Sequence, residues 1–221
     1  VNVGRAATWR GVRLAGLIVV AACAPKAEPL TGVPAPVRAL PAAVLPAGRQ
    51  IVRFHWEYRD REVKVNGDGA ARLAPPDSAR IDFVVSGGLG SGHALLFGDT
   101  IVASGGDIVK RYLPPPPLVW AGLGRLAVPA YPDTTVRIDG DTVRADIAGL
   151  LAGHPVVWRV AFSGGRLVGA ERVTGDRVRE TVQRRATDDV EFDSPSERRT
   201  LRLTHVRSES VTDFEPNVWH R

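Results

Sequence analysis

One thiol, five imidazoles, a glycine-rich loop and two close pairs of carboxylates are the groups in this chain whose types could do chemistry. The histidines at 55, 93, 154, 205 and 220 lack the paired spacing that holds a metal, and no Gly-x-Ser-x-Gly elbow carries a nucleophile. Asp188-Asp189 and Asp139/Asp141 read as turn residues, whose short side chains hydrogen-bond nearby backbone, rather than as acid–base pairs. Gly87-Gly88-Leu89-Gly90-Ser91-Gly92 lacks the following Lys-Ser/Thr and the helix start that a phosphate loop uses. The chain therefore reads as a protein that is not an enzyme and needs neither metal nor cofactor. What remains is Cys23, the only cysteine, whose thiol can accept a lipid.

Its position gives that thiol a use. Arg5, Arg10 and Arg13 precede an apolar run from Leu14 to Ala22, and no acidic residue occurs before Glu28. A positive segment followed by a short apolar one is the pattern of an export signal. The run has nine residues, whereas a membrane-spanning helix needs about 20. Val20-Ala21-Ala22-Cys23 resembles the bacterial lipobox, in which an aliphatic and two small residues precede the lipidated cysteine. Residues 1–22 are thus expected to be a signal peptide. Cys23 would then carry two or three acyl chains, each buried methylene contributing about 0.8 kcal/mol to anchoring. Ala24 stands where an aspartate would, by resemblance to the enterobacterial sorting rule, hold the protein at the inner membrane, so the expected location is the outer membrane, facing the periplasm. Valine at position 1 and the lack of methionine suggest translation from a non-AUG start codon.

Removing the three leader arginines from 29 basic residues leaves 26 against 24 acids, a net of +2. That balance, with arginines alternating among acids and apolar residues, does not fit a nucleic-acid partner. A lone cysteine forms no internal disulfide, so an exported domain must be held by its own core. Prolines at 25, 29, 34, 36, 41 and 46 favour extended backbone, and residues 23–49 read as a lipidated cysteine and a tether, with a short helix over Val37 to Leu45 as an alternative. Residues 50–221 then form one domain, expected to be monomeric.

The domain's dominant period is two. Val52, Phe54, Trp56 and Tyr58 alternate with Arg53, His55, Glu57 and Arg59, the pattern of a half-buried strand. Further strands are expected over 62–73, 80–86, 93–97, 100–104, 135–139, 142–147, 156–162, 166–174, 177–185, 189–193 and 198–210. Asp139-Gly140 and Gly175-Asp176 supply hairpin turns, where positive φ is needed. Strands joined by short turns without interleaved helices predict an antiparallel meander. One stretch breaks the pattern: Pro114 to Pro117 can open a helix, and Leu118, Trp120, Leu123 and Leu126 would pack its apolar side inward despite two glycines.

The order of these features resembles the LolA/LolB-like superfamily of lipoprotein carriers and receptors, in its branch of uncharacterised bacterial lipoproteins. The residues that carry the resemblance are Trp56-Glu57-Tyr58, Arg80-Ile81-Asp82-Phe83 before a glycine-rich turn, the proline-tryptophan insert, the strand from Trp158 to Phe162 and the closing Thr200 to Val206. The resemblance implies an all-β fold with minor α, an antiparallel incomplete half-barrel with a short helical insert over its concave face. It also implies an apolar cavity that admits acyl chains. Trp56, Leu118, Trp120, Leu123 and Trp158 are the candidate cavity and lid residues, though large aromatics at these spacings also serve as plain core. In LolB a protruding loop with an apolar tip assists membrane insertion; Leu89 is either the matching tip or a residue folded onto the core. His55 and His205 face either the outer side or the cavity. The function expected is binding of lipid or lipoprotein acyl chains, with membrane contact through the anchor. The alternative is an assembly protein with a solid interior that binds an envelope protein partner, and a hydrolase of envelope lipids or glycans ranks last because no catalytic constellation can be named. An open apolar cavity distinguishes the first two.

Overall fold

The computed structural model describes residues 24–88, 90–104, 109 and 113–219. Residues 1–22, where a signal peptide is expected, Cys23 and Leu89 lie outside the described residues. Thirteen strands form one sheet: β1 (Val33–Ala35), β2 (Arg49–Arg59), β3 (Lys64–Ala74), β4 (Ser78–Val85), β5 (Ser91–Phe97), β6 (Thr100–Ser104), β7 (Thr135–Asp139), β8 (Thr142–Leu151), β9 (His154–Ser163), β10 (Arg166–Thr174), β11 (Arg177–Arg184), β12 (Val190–Ser194) and β13 (Arg199–Val211). A short helix, α1 (Pro116–Gly122), lies between β6 and β7.

The strand order is β1-β7-β8-β9-β10-β11-β12-β13-β2-β3-β4-β5-β6, and every pair is antiparallel. Two meanders are thus joined by β13 lying along β2, with Leu203 opposite Trp56 and Leu201 opposite Tyr58. The end strands β1 and β6 do not pair, so the sheet is an open half-barrel, as the sequence predicts. Register shifts between Leu167 and Gly169, Arg172 and Val173, and His205 and Arg207 mark irregularities of the kind that bend strands and sharpen their twist.

Alternation assigns the two faces. Phe54, Trp56 and Tyr58 on β2, Ile81 and Phe83 on β4, Trp158, Val160 and Phe162 on β9, and Leu201 and Leu203 on β13 are buried in one core. Arginine–carboxylate pairs line the neighbouring strands. Arg159 makes a forked contact with Asp146 at 2.7 and 2.9 Å, Arg80 meets Asp82 at 2.8 Å, and Arg202 meets Glu191 at 2.6 Å. This pairing explains why so many arginines in the sequence alternate with acids. One acid is inside: Glu180 is buried and held by Arg172 at 2.7 Å and Arg199 at 3.2 Å.

Residues 24–48 are laid against the sheet rather than standing off from it. Val33–Ala35 pairs with β7, Ala27 donates to the Asp176 carbonyl at 2.8 Å, and Val178 donates to the Pro25 carbonyl at 2.9 Å. Leu45 is buried in the core, and a 3-10 turn covers Val37–Ala39 where the helical alternative was placed. The proline-rich segment thus finds backbone partners on β7 and β11 that an extended solvated chain would find only in water. Every strand and every core residue named above lies within residues 24–219.

Candidate functional site

The helix α1 is built for one job, lying flat on the concave face. Pro116 and Pro117 occupy its first turn, where their missing N–H groups cost nothing, and the Pro115 carbonyl accepts from Leu118 and Val119 at 2.9 and 3.2 Å. Its far end closes with a Schellman arrangement: Arg125 N–H donates to the Trp120 carbonyl at 2.9 Å and Gly124 N–H to the Ala121 carbonyl at 3.0 Å. Gly124 has φ +90°, which the motif requires. Gly122 is needed for a different reason, because a Cβ there would stand 2.6 Å from Phe192 Cζ on β12. The two glycines that weaken the helix on paper are what let it dock and stop.

Between α1, the 42–46 segment and the sheet lies a cavity of about 420 Å³. That falls within the roughly 300–1,000 Å³ of small-ligand sites. Its apolar wall includes Val52, Phe54, Ile81, Val119, Phe192 and Leu203. The space exists because several wall positions are small: Ala42, Ala43, Ala71 and Gly122 leave volume that larger side chains would take. Elsewhere the interior is filled, with Trp56, Tyr58, Trp120, Phe162 and Ile147 almost wholly buried.

The expected site residues divide accordingly. Leu123 lines the cavity, and so does Val119, its neighbour on α1. Trp56, Leu118, Trp120 and Trp158 are buried in the core and are not on the cavity wall. Trp56 donates its indole N–H to the Asp68 carbonyl at 3.1 Å and stands edge-on to Phe83. Trp120 donates to the Gly98 carbonyl at 2.6 Å, with Arg125 over its ring at 4.8 Å. These are core anchors, with polar tips satisfied as buried indoles require. His55 points away from the core and pairs with Asp68, whereas His205 is on the cavity wall and meets Ser208 Oγ at 3.0 Å.

The cavity mouth is polar on one side. Gln50, Arg166, Arg184, Asp188, His205 and Ser208 are the polar lining residues, and the exposed Arg166 and Asp188 stand at the opening. On the other side Val44 is 73% exposed beside Pro46, an apolar lip. Among the described residues no cluster of three His, Cys, Asp or Glu side chains could hold a metal, and no helix is long and apolar enough to cross a membrane.

No family model matches the sequence, and no curated protein matches it. Solved structures do match, among them the following two. One is a domain assigned as an outer membrane lipoprotein-sorting protein from Vibrio parahaemolyticus, 8% identical, with a TM-score of 0.42 over 78% of this chain and 89% of that one. The other is a DUF1329 family protein from Desulfovibrio piger, 7% identical, with a TM-score of 0.37 over 78% of this chain and 89% of that one. The half-barrel description rests on the strand order and on the helix across the concave face.

Proposed function

We propose that this chain is an anchored protein of the bacterial envelope, held by lipid on Cys23, that takes an acyl chain of a lipid or lipoprotein into the cavity under α1 for transport or insertion. The observation that carries this reading is the cavity itself, about 420 Å³ with an apolar wall, in an interior otherwise densely filled. The apolar part of that wall gains from any chain laid on it, at about 0.8 kcal/mol for each methylene taken from water. A solid interior would have favoured the assembly role, in which only the outer face binds. The role proposed is one of binding, without a chemical step.

Residues 24–221, which hold every described strand, provide the material for a test. Titration with a fluorescent fatty acid is expected to give saturable one-to-one binding, and Ala43→Trp, which fills the mouth with an indole, is expected to abolish it. Wild-type protein that binds no acyl ligand would overturn the proposal.

A further inference from the structure

The mouth of the cavity holds two permanent cations against one acid. Arg184 ends β11 on the same side of the strand as Val178, Glu180 and Val182, which are buried, so its side chain turns inward. Arg166 begins β10 on the cavity wall beside it. Both guanidiniums reach the same oxygen, Asp188 Oδ1, Arg166 at 2.9 Å and Arg184 at 3.3 Å. One carboxylate serving two guanidiniums leaves an excess of one positive charge at the entrance. The Arg184 Nε–H is buried and has no hydrogen-bond partner among the described residues. Such a donor is costly to leave unmade.

The surroundings keep this arrangement open toward the cavity. Gly124 lies against Arg184, where a Cβ would stand 2.4 Å from Nη1 and push the guanidinium aside. Asp188 is fixed in the β11–β12 turn at φ 61°, its N–H donating to the Arg185 carbonyl at 3.0 Å. Burial pulls the Arg184 pKa down, Asp188 holds it up, and the nearby Arg166 lowers it further. An arginine stays charged through such a shift, and a further anion beside it would offset the burial. Apart from Asp188, the polar groups at the mouth, Gln50, His205 and Ser208, are not acids.

Resting on the acyl-chain reading above, we propose that the occupant is an amphiphile with one anionic head, a carboxylate or phosphate at the end of its chain, bound by Arg184 and Arg166 at the mouth while the chain lies on Val52, Phe54, Ile81 and Leu203. Two guanidiniums suit either oxyanion, because each offers paired N–H groups to paired oxygens. An ester or amide linkage is itself neutral, so an acyl chain on a lipidated cysteine brings no such head. The proposal therefore narrows the ligand from acyl chains in general to free fatty acids or single-chain phosphates.

Calorimetric titration of residues 24–221 with dodecanoate, dodecyl phosphate, dodecanol and inorganic phosphate tests it, on the wild type and on Arg184→Gln, Arg166→Gln and Asp188→Asn. At least one anionic amphiphile is expected to bind about tenfold or more tighter than dodecanol, and the tighter of the two identifies the head. Arg184→Gln is expected to erase that advantage, bringing both anions to the affinity of dodecanol. Asp188→Asn, which removes the competing carboxylate, is expected to enlarge it. If Arg184→Gln does not fold, Arg166→Gln, at a site 62% exposed, gives the same comparison. Dodecanol binding as tightly as both anions would overturn the head-group assignment and leave the acyl-chain reading standing. Inorganic phosphate matching dodecyl phosphate would also overturn it, and no binding by any chain-bearing ligand would overturn both.

Discussion

Gly122 on α1 and Phe192 on β12 meet so closely that a Cβ on the glycine would lie 2.6 Å from Cζ of the ring and 3.1 Å from a Val190 methyl. Bare helix backbone thus rests on the cavity wall, and this contact sets how far the helix stands from the sheet. Gly122→Val should force the helix off Phe192 at an overpacking cost of about 1–3 kcal/mol. Urea unfolding is expected to show a lower midpoint with unchanged slope, and acyl affinity should fall with it. An unchanged midpoint would mean that the helix is not seated as described.

Trp120 and Leu123 are three residues apart on the same insert but have different duties. Trp120→Phe keeps most of the packing and removes the donor to the Gly98 carbonyl, so stability should fall by about 0.5–1.5 kcal/mol with acyl affinity retained. Leu123→Ala should do the reverse, weakening affinity at little cost to folding, since Leu123 is half-buried and lines the cavity. Equal loss of affinity in both variants would contradict this division.

The difference between these two residues marks where the sequence stops being informative. The alternation at Phe54, Trp56 and Tyr58, the Asp139-Gly140 turn and the proline run before Leu118 are local signals, and each produces the element it predicts. Which end of an apolar face stays unfilled is not local. It depends on where small residues from distant segments converge, here Ala42 and Ala43 before β2, Ala71 on β3 and Gly122 on α1. Large tryptophans draw the eye, yet a void forms where side chains are missing. Small residues at inward positions were the readable hint. The pairing of Val33 with Ile138 was not legible either, because a three-residue strand has no period and its partner is 105 positions away.

Glu171 gives the fold a pH signature. Burial raises its pKa, Arg159 pulls it back, and Asp146 and Glu28 push it up again. The native state therefore holds this proton to higher pH than the unfolded chain, whose carboxyl titrates near about 4.3. Between those two pKa values the native state binds more protons, so the contribution of Glu171 to stability is complete below the unfolded pKa and lost as pH rises through the folded one. Glu171→Gln has no such loss. Its stability relative to wild type should increase with pH across that window and then level off in chemical denaturation; a difference independent of pH would contradict the assignment.

Cys23→Ala removes the only thiol in the chain. The variant is expected to leave the membrane fraction or to accumulate as an uncleaved precursor, without incorporating labelled palmitate. Incorporation equal to wild type would show that the anchor is elsewhere.

The central claim is that a chain lies between α1 and the concave sheet, and methyl NMR of residues 24–221 titrated with dodecanoate tests it most directly. The account predicts that the methyl signals of Val52, Ile81, Val119 and Leu203, all on the cavity wall, move together and saturate at one equivalent, while the exposed Val84 and Val206 and the packed Ile147 stay in place. Shifts confined to Val84 and Val206, or no saturable shift at all, would contradict it.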